Sequence, residues 1–170
     1  MKEGLVHLYW GKGKGKTTAA VGLAVRALGH GRKVAVVQFL KNGGSGEVGM
    51  LRRLGAEVYA GKPEEGFASR MNKEEQQKIR ERQNRLLQLA MESECQLLIL
   101  DEACEACSMD LVDPVLLKAA VLERPAWREI VLTGRKPPDW MREAADYCTC
   151  MQCQEHPYEK GIRAREGIEF

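Results

Sequence analysis

The chain reads as an α/β protein, a mostly parallel sheet of about six strands with helices on both faces. Three observations predict it. Short apolar runs at residues 5–9, 33–40, 56–59, 96–100, 128–133 and 146–151 alternate with stretches of helical periodicity. Runs this short are buried strands, and the helices between them are the crossovers that parallel strands need. The third observation is the glycine-rich turn Gly11-Lys-Gly-Lys-Gly-Lys-Thr-Thr18, set between the first strand and the first helix. That is the context of a phosphate-binding loop, so the expectation is one phosphate-loop domain over residues 1–170.

The first strand, 5–9, carries His7, whose expected role is a packed, hydrogen-bonded side chain, since no second histidine lies nearby to make a metal pair. In the turn, glycines let backbone N–H groups point at an anion, and the following helix adds its partial positive charge. Gly11, Lys12, Gly13, Lys14, Gly15, Lys16, Thr17 and Thr18 are the nucleotide-binding candidates, with Lys16 on the outer phosphates and the Thr17 hydroxyl on Mg²⁺. The spelling departs from G-x-x-x-x-G-K-[ST] at one place, because the first glycine position falls on Trp10 and Gly11 comes one residue late. Ala20, Leu23, Ala24 and Ala27 mark the apolar face of a helix that ends at Gly29.

The strand 33–40 runs into Lys41-Asn-Gly-Gly-Ser-Gly46, a loop at a strand's carboxyl end and therefore at the border of a ligand crevice. A short helix over 47–54 and a strand over 56–59 follow, then a long loop over 61–70. Asn72 and Glu75 have the spacing of a capping box, opening a helix to about Met91 with Ile79, Leu86, Leu87 and Ala90 on its apolar face. The strand 96–100 delivers Asp101 and Glu102 to its carboxyl end, as in a Walker B element, where they can hold Mg²⁺ or its waters opposite Thr17. A helix over 112–122, a strand over 128–133, a loop Thr133-Gly-Arg-Lys-Pro-Pro138, a helix over 139–145 and a strand over 146–151 complete the pattern.

The six cysteines favour free thiols or a metal over a disulfide framework. Cys104-x-x-Cys107 and Cys148-x-Cys150-x-x-Cys153 both fall at carboxyl ends of strands. Cys104, Cys107, Cys150 and Cys153 are thus a speculative second metal site, with free thiols the competing reading. A net charge of +2 with 29% charged residues describes an ordinary surface and calls for no nucleic acid. No apolar run approaches 18 residues and no signal-peptide pattern is present, so a cytoplasmic protein without a membrane partner is expected.

Several of these stretches together resemble the ATP:corrinoid (cob(I)alamin) adenosyltransferases of the cobalamin-salvage type. They are the Gly11–Thr18 turn with Ala19-Ala20, then Arg26-Ala-Leu-Gly-His-Gly31, Val36-Val-Gln-Phe-Leu-Lys41, and the tail His156-Pro-Tyr-Glu-Lys-Gly-Ile-Arg-Ala-Arg-Glu-Gly-Ile-Glu-Phe170. The resemblance implies transfer of the 5′-deoxyadenosyl group of ATP to the cobalt of a reduced corrinoid, with Mg²⁺ and release of tripolyphosphate. It also implies an external electron donor and a homodimer. It places Arg26 and Arg135 on the triphosphate and Glu102 on the metal, so Lys16, Glu102 and Arg135 become the catalytic candidates. The family's Gly-Phe-Thr-Trp, whose aromatics help hold the corrin, stands here as Gly66-Phe67-Ala68-Ser69, leaving Phe67 as the corrinoid contact or a small loop anchor. A phosphoryl-transfer ATPase and a non-catalytic nucleotide or metal sensor on the same scaffold are the competing functions.

Overall fold

The computed structural model describes residues 3–41, 43–61 and 72–169. Its strands are β1 (Val6–Trp10), β2 (Val34–Gln38), β3 (Glu57–Ala60), β4 (Leu97–Asp101), β5 (Glu129–Gly134) and β6 (Tyr147–Cys150). They form one six-stranded sheet in the order β3-β2-β4-β5-β1-β6, with every pairing parallel. The helices are α1 (Lys16–Gly29), α2 (Gly46–Arg53), α3 (Lys73–Glu92), α4 (Ala103–Ser108), α5 (Pro114–Leu122) and α6 (Asp139–Glu143). No helix among the described residues is long and apolar enough to cross a membrane.

Because side chains alternate along a strand, each central strand feeds two cores. Leu8, Val37, Leu98, Leu100, Ile130 and Leu132 face Leu87 and Ala90 of α3, Leu117 of α5 and Met141 of α6. Val34, Val36, Leu97, Ile99 and Val131 face the other way, onto Ala20, Ala24 and Ala27 of α1 and Leu51 of α2. The alanines let α1 lie close to the sheet. That closeness fixes where the phosphate loop ahead of α1 sits.

Local signals account for most element ends. At α3 the box is reciprocal: Glu75 N donates to Asn72 Oδ1 at 2.9 Å and Asn72 N to Glu75 Oε2 at 2.8 Å. Helix α5 starts two residues later than its periodicity suggests, at Pro114, because Asp113 Oδ1 accepts from Val115 N and serves as the cap. Likewise β2 stops at Gln38 rather than residue 40, since Leu40 takes a φ of 58°. Helix α4 was not expected at all; its six residues contain the Cys104-x-x-Cys107 motif. Strand β6 is an edge, with all four residues exposed. His7 is packed and hydrogen-bonded as expected. Its Nε2 lies 2.6 Å from Glu129 Oε1, its Nδ1 3.2 Å from the Tyr9 hydroxyl, and its ring stacks on Tyr147.

Candidate active site

All parallel strands point their carboxyl ends the same way, so Trp10, Gln38, Asp101, Gly134 and Cys150 end on one rim of the sheet. The glycine-rich turn leaves β1 there. Its start is tied down by Gly11 N donating to Gly134 O at 3.1 Å, and its middle by Gly13 N donating to Met151 O at 2.7 Å. A Cβ on Gly11 or Gly13 would collide with the backbone of Met151 or Gln152, and Gly11 also has a φ of +111°. This explains the late glycine. Trp10 is still a strand residue, and the first position that must turn under the segment after β6 is residue 11.

Lys16 opens α1 and folds back so that Nζ donates to Gly13 O at 2.7 Å. Burial and the nearby Arg135 guanidinium hold its pKa below the usual lysine range. Lys16 and Arg135 are thus close enough for their charges to act on each other, with Glu105, Glu102 and Asp101 also acting on Lys16, and two neighbouring cations at a glycine turn suit an anionic ligand. Thr17 Oγ1 donates to Asp101 Oδ1 at 2.9 Å. The same oxygen accepts from Thr133 Oγ1 at 2.7 Å, and the Thr133 hydroxyl accepts in turn from Glu102 N at 2.9 Å. Asp101 is buried, and its second oxygen, Oδ2, accepts from Lys41 Nζ at 2.7 Å.

Glu102 turns out of β4 with a φ of 60°, so it leaves the strand and faces the rim beside Asp101. Burial, then the Asp101 charge, pushes its carboxyl above the usual carboxylate range. Glu105, in the first turn of α4, accepts from Arg135 N at 2.5 Å and so positions the loop that carries Arg135. Lys12, Lys14 and Thr18 are exposed at the mouth of the turn. Lys14 Nζ reaches Ile168 O at 3.0 Å, which brings the end of the tail back onto the phosphate loop.

Lys16, Thr17, Asp101, Glu102 and Arg135 therefore come together as the sequence suggests. Arg26 does not. It lies in the last turn of α1, ten residues past Lys16, and a helix rise of about 1.5 Å per residue puts about 15 Å between them. It lines a cavity of about 400 Å³ with Leu23, Ala27, His30, Arg32, Leu97 and Glu129, at the opposite rim of the sheet.

The four-cysteine site is not assembled either. Cys104 is buried with its thiol 3.8 Å from the Met141 sulfur, and burial pushes its pKa up to about 12. Cys107 is partly buried, whereas Cys150 and Cys153 are exposed. Among the described residues no group of three or more His, Cys, Asp or Glu side chains is arranged to hold a metal ion. Phe67 lies outside the described residues.

Three contributors were missed from the sequence: Thr133, Glu105 and Lys41. Thr133 sits at the carboxyl end of the strand beside the Asp101 strand, in a Thr-Gly-Arg that was read only for its arginine. For Lys41 the available signal was its place just past a strand end.

Residues 2–170 match the family model described as ATP:corrinoid adenosyltransferase BtuR/CobO/CobP. The chain is 36% identical over 172 residues to a corrinoid adenosyltransferase of Pseudomonas aeruginosa, covering 99% of this chain and 85% of that protein. A corrinoid adenosyltransferase of Escherichia coli K12 is 30% identical over 170 residues, covering 99% and 87%. With the corrinoid adenosyltransferase CobA of Salmonella typhimurium the identity is 29%, over 99% of this chain and 87% of that one. A match over nearly the whole length, joined to a phosphate loop facing an Asp-Glu strand end, means that the chain belongs to the ATP:corrinoid adenosyltransferase family.

Proposed function

We propose that this chain, acting as one functional domain over residues 1–170, carries out adenosyl transfer by displacement at the ribose C5′ of ATP, with the triphosphate leaving intact as tripolyphosphate. The observation that carries the proposal is the closeness of Lys16, at the end of the glycine turn, to Arg135, whose guanidinium helps to lower the lysine pKa. When a reduced cobalt centre attacks carbon, negative charge grows on the leaving triphosphate. Lys16, Arg135 and the turn's backbone N–H groups other than those of Gly11 and Gly13 stabilise that charge. No side-chain nucleophile is required. The other large contribution is alignment of C5′ with cobalt.

Thr17, Asp101 and Glu102 would hold Mg²⁺, since a hydroxyl and two carboxylates make a hard-oxygen donor set. When bound, the ion supplies further positive charge to the triphosphate. The roles of Lys12, Lys14 and Thr18 at the nucleotide, and of Phe67 at the corrinoid, rest on the turn and on the family resemblance. So do the homodimer, the cytoplasmic location and the electron donor outside this chain that reduces cobalt.

The test is an anaerobic reaction with ATP, Mg²⁺ and chemically reduced cobalamin, followed by phosphorus NMR and by the cobalt–carbon spectrum. Tripolyphosphate forming one-for-one with adenosylated corrinoid is expected. ADP and phosphate appearing equally well without corrinoid would replace the proposal with the ATPase reading, and corrinoid-independent nucleotide binding with no product would favour a sensor.

A further inference from the structure

Lys41 is the part of the site that neither the phosphate loop nor the Asp-Glu strand end accounts for. It leaves β2 through Leu40, a branched residue held at a φ of 58°, in the left-handed region that such side chains adopt only under constraint. Leu40 packs against the main core, which supplies that constraint. The turn brings Lys41 Nζ to 2.7 Å from Asp101 Oδ2 and 3.7 Å from Glu47 Oε1. Glu47 is itself held by Gln38 Nε2 at 2.8 Å. With Thr17 and Thr133 on Oδ1 and Lys41 on Oδ2, both oxygens of Asp101 are engaged. A cation entering opposite Thr17 therefore meets a carboxylate whose charge is already balanced from within the chain.

We propose that Lys41 is the internal counter-cation of Asp101. It balances the carboxylate in the nucleotide-free protein, is displaced from it when a divalent ion enters with the triphosphate, and then serves as a further positioning cation for the leaving phosphates. Displacement exchanges one ion pair for another, so Asp101 never stands buried and uncompensated. The inference rests on the reading of the site as a metal–triphosphate site and adds a residue that controls when the metal engages.

The experiment uses Mn²⁺ as the probe, titrated into the full chain without ATP or corrinoid and read by electron paramagnetic resonance. Removing a fixed positive charge within a few ångströms of the metal position should tighten Mn²⁺ binding by Lys41→Met about ten-fold or more. In the complete assay the same variant should lose about ten-fold in kcat, so the two readouts move in opposite directions. A side chain that only packs would weaken both. Lys41→Arg keeps the charge and should stay near the wild-type Mn²⁺ affinity. If Lys41→Met does not fold, Lys41→Gln, which keeps a hydrogen-bond donor toward Asp101, is measured in its place with the same expected tightening. Mn²⁺ affinity that is unchanged or weaker in a folded neutral variant overturns the proposal, and so does the absence of Mn²⁺ binding by every protein. Because the titration contains neither substrate, a chain that transfers no adenosyl group yet shows the Mn²⁺ shift would sink the adenosyl-transfer reading and leave this one standing.

Discussion

Asp101 is buried yet accepts from two hydroxyls and an ammonium, and that is what lets a charge persist inside the sheet rim. Cys104, two residues beyond Glu102, shows the opposite solution. With a methionine sulfur as its neighbour, its pKa is pushed up to about 12 chiefly by burial. Thiol chemistry should follow this division. In native protein at pH 8, Cys148, Cys150 and Cys153 are expected to react readily with a thiol reagent, and Cys95 and Cys104 only after unfolding. Timed labelling read by mass spectrometry checks it. Modification of Cys104 as fast as Cys150 would mean that α4 opens in the native state.

At the scale of elements, the end of α3 depends on a residue far along the chain. Arg128 is 4% exposed and donates to Met91 O at 3.0 Å and Cys95 O at 3.1 Å, with Ser93 O as a third acceptor. Those carbonyls close the helix and lead into β4, so one guanidinium joins the end of α3 to the start of β5. Arg128→Met fills the space but leaves the carbonyls unpaired. At about 1–3 kcal/mol for each buried group left unsatisfied, the total loss should be roughly 3 kcal/mol or more. Urea denaturation gives the value directly, and a loss below 1 kcal/mol would show that water takes over the three acceptors. Neither partner predicts the other from sequence, because a helix end and an arginine just before the fourth element after it share no local pattern.

On the whole-molecule scale, the ligand site is a seam between parts. The turn after β1 rests on the backbone after β6, its Thr17 is bonded to β4, and its Lys14 touches the tail. Binding at such a seam should stabilise the fold as a unit. ATP at about 100 times its Kd contributes about 2.7 kcal/mol, or roughly 5–10 °C in Tm for a chain of this size. Lys16→Ala should erase most of that shift while leaving the Tm without ATP nearly unchanged, and should cut adenosyl transfer by about 10²- to 10³-fold. Differential scanning fluorimetry with and without ATP reads the first effect. An undiminished shift in Lys16→Ala would place nucleotide binding away from the turn.

What the sequence determined by itself is the part set by local periodicity. Short continuous apolar runs and period-3.6 patterns separate strands from helices, and a glycine turn ahead of α1 and two carboxylates after an apolar strand announce themselves without a fold. In a parallel sheet both must then reach the same rim, so Lys16, Thr17, Asp101 and Glu102 were legible as one site. Tertiary structure decided what depends on which strands are neighbours. The order β3-β2-β4-β5-β1-β6 sets β4 between β2 and β5, and only that order brings Lys41 and Thr133 onto Asp101 from either side. Helix rise sets Arg26 about 15 Å along α1 from Lys16, and inward packing buries Cys104 in α4 while the thiols in and after β6 are exposed. Sequence spacing carries the chemistry of each strand end, but the sheet chooses which ends meet.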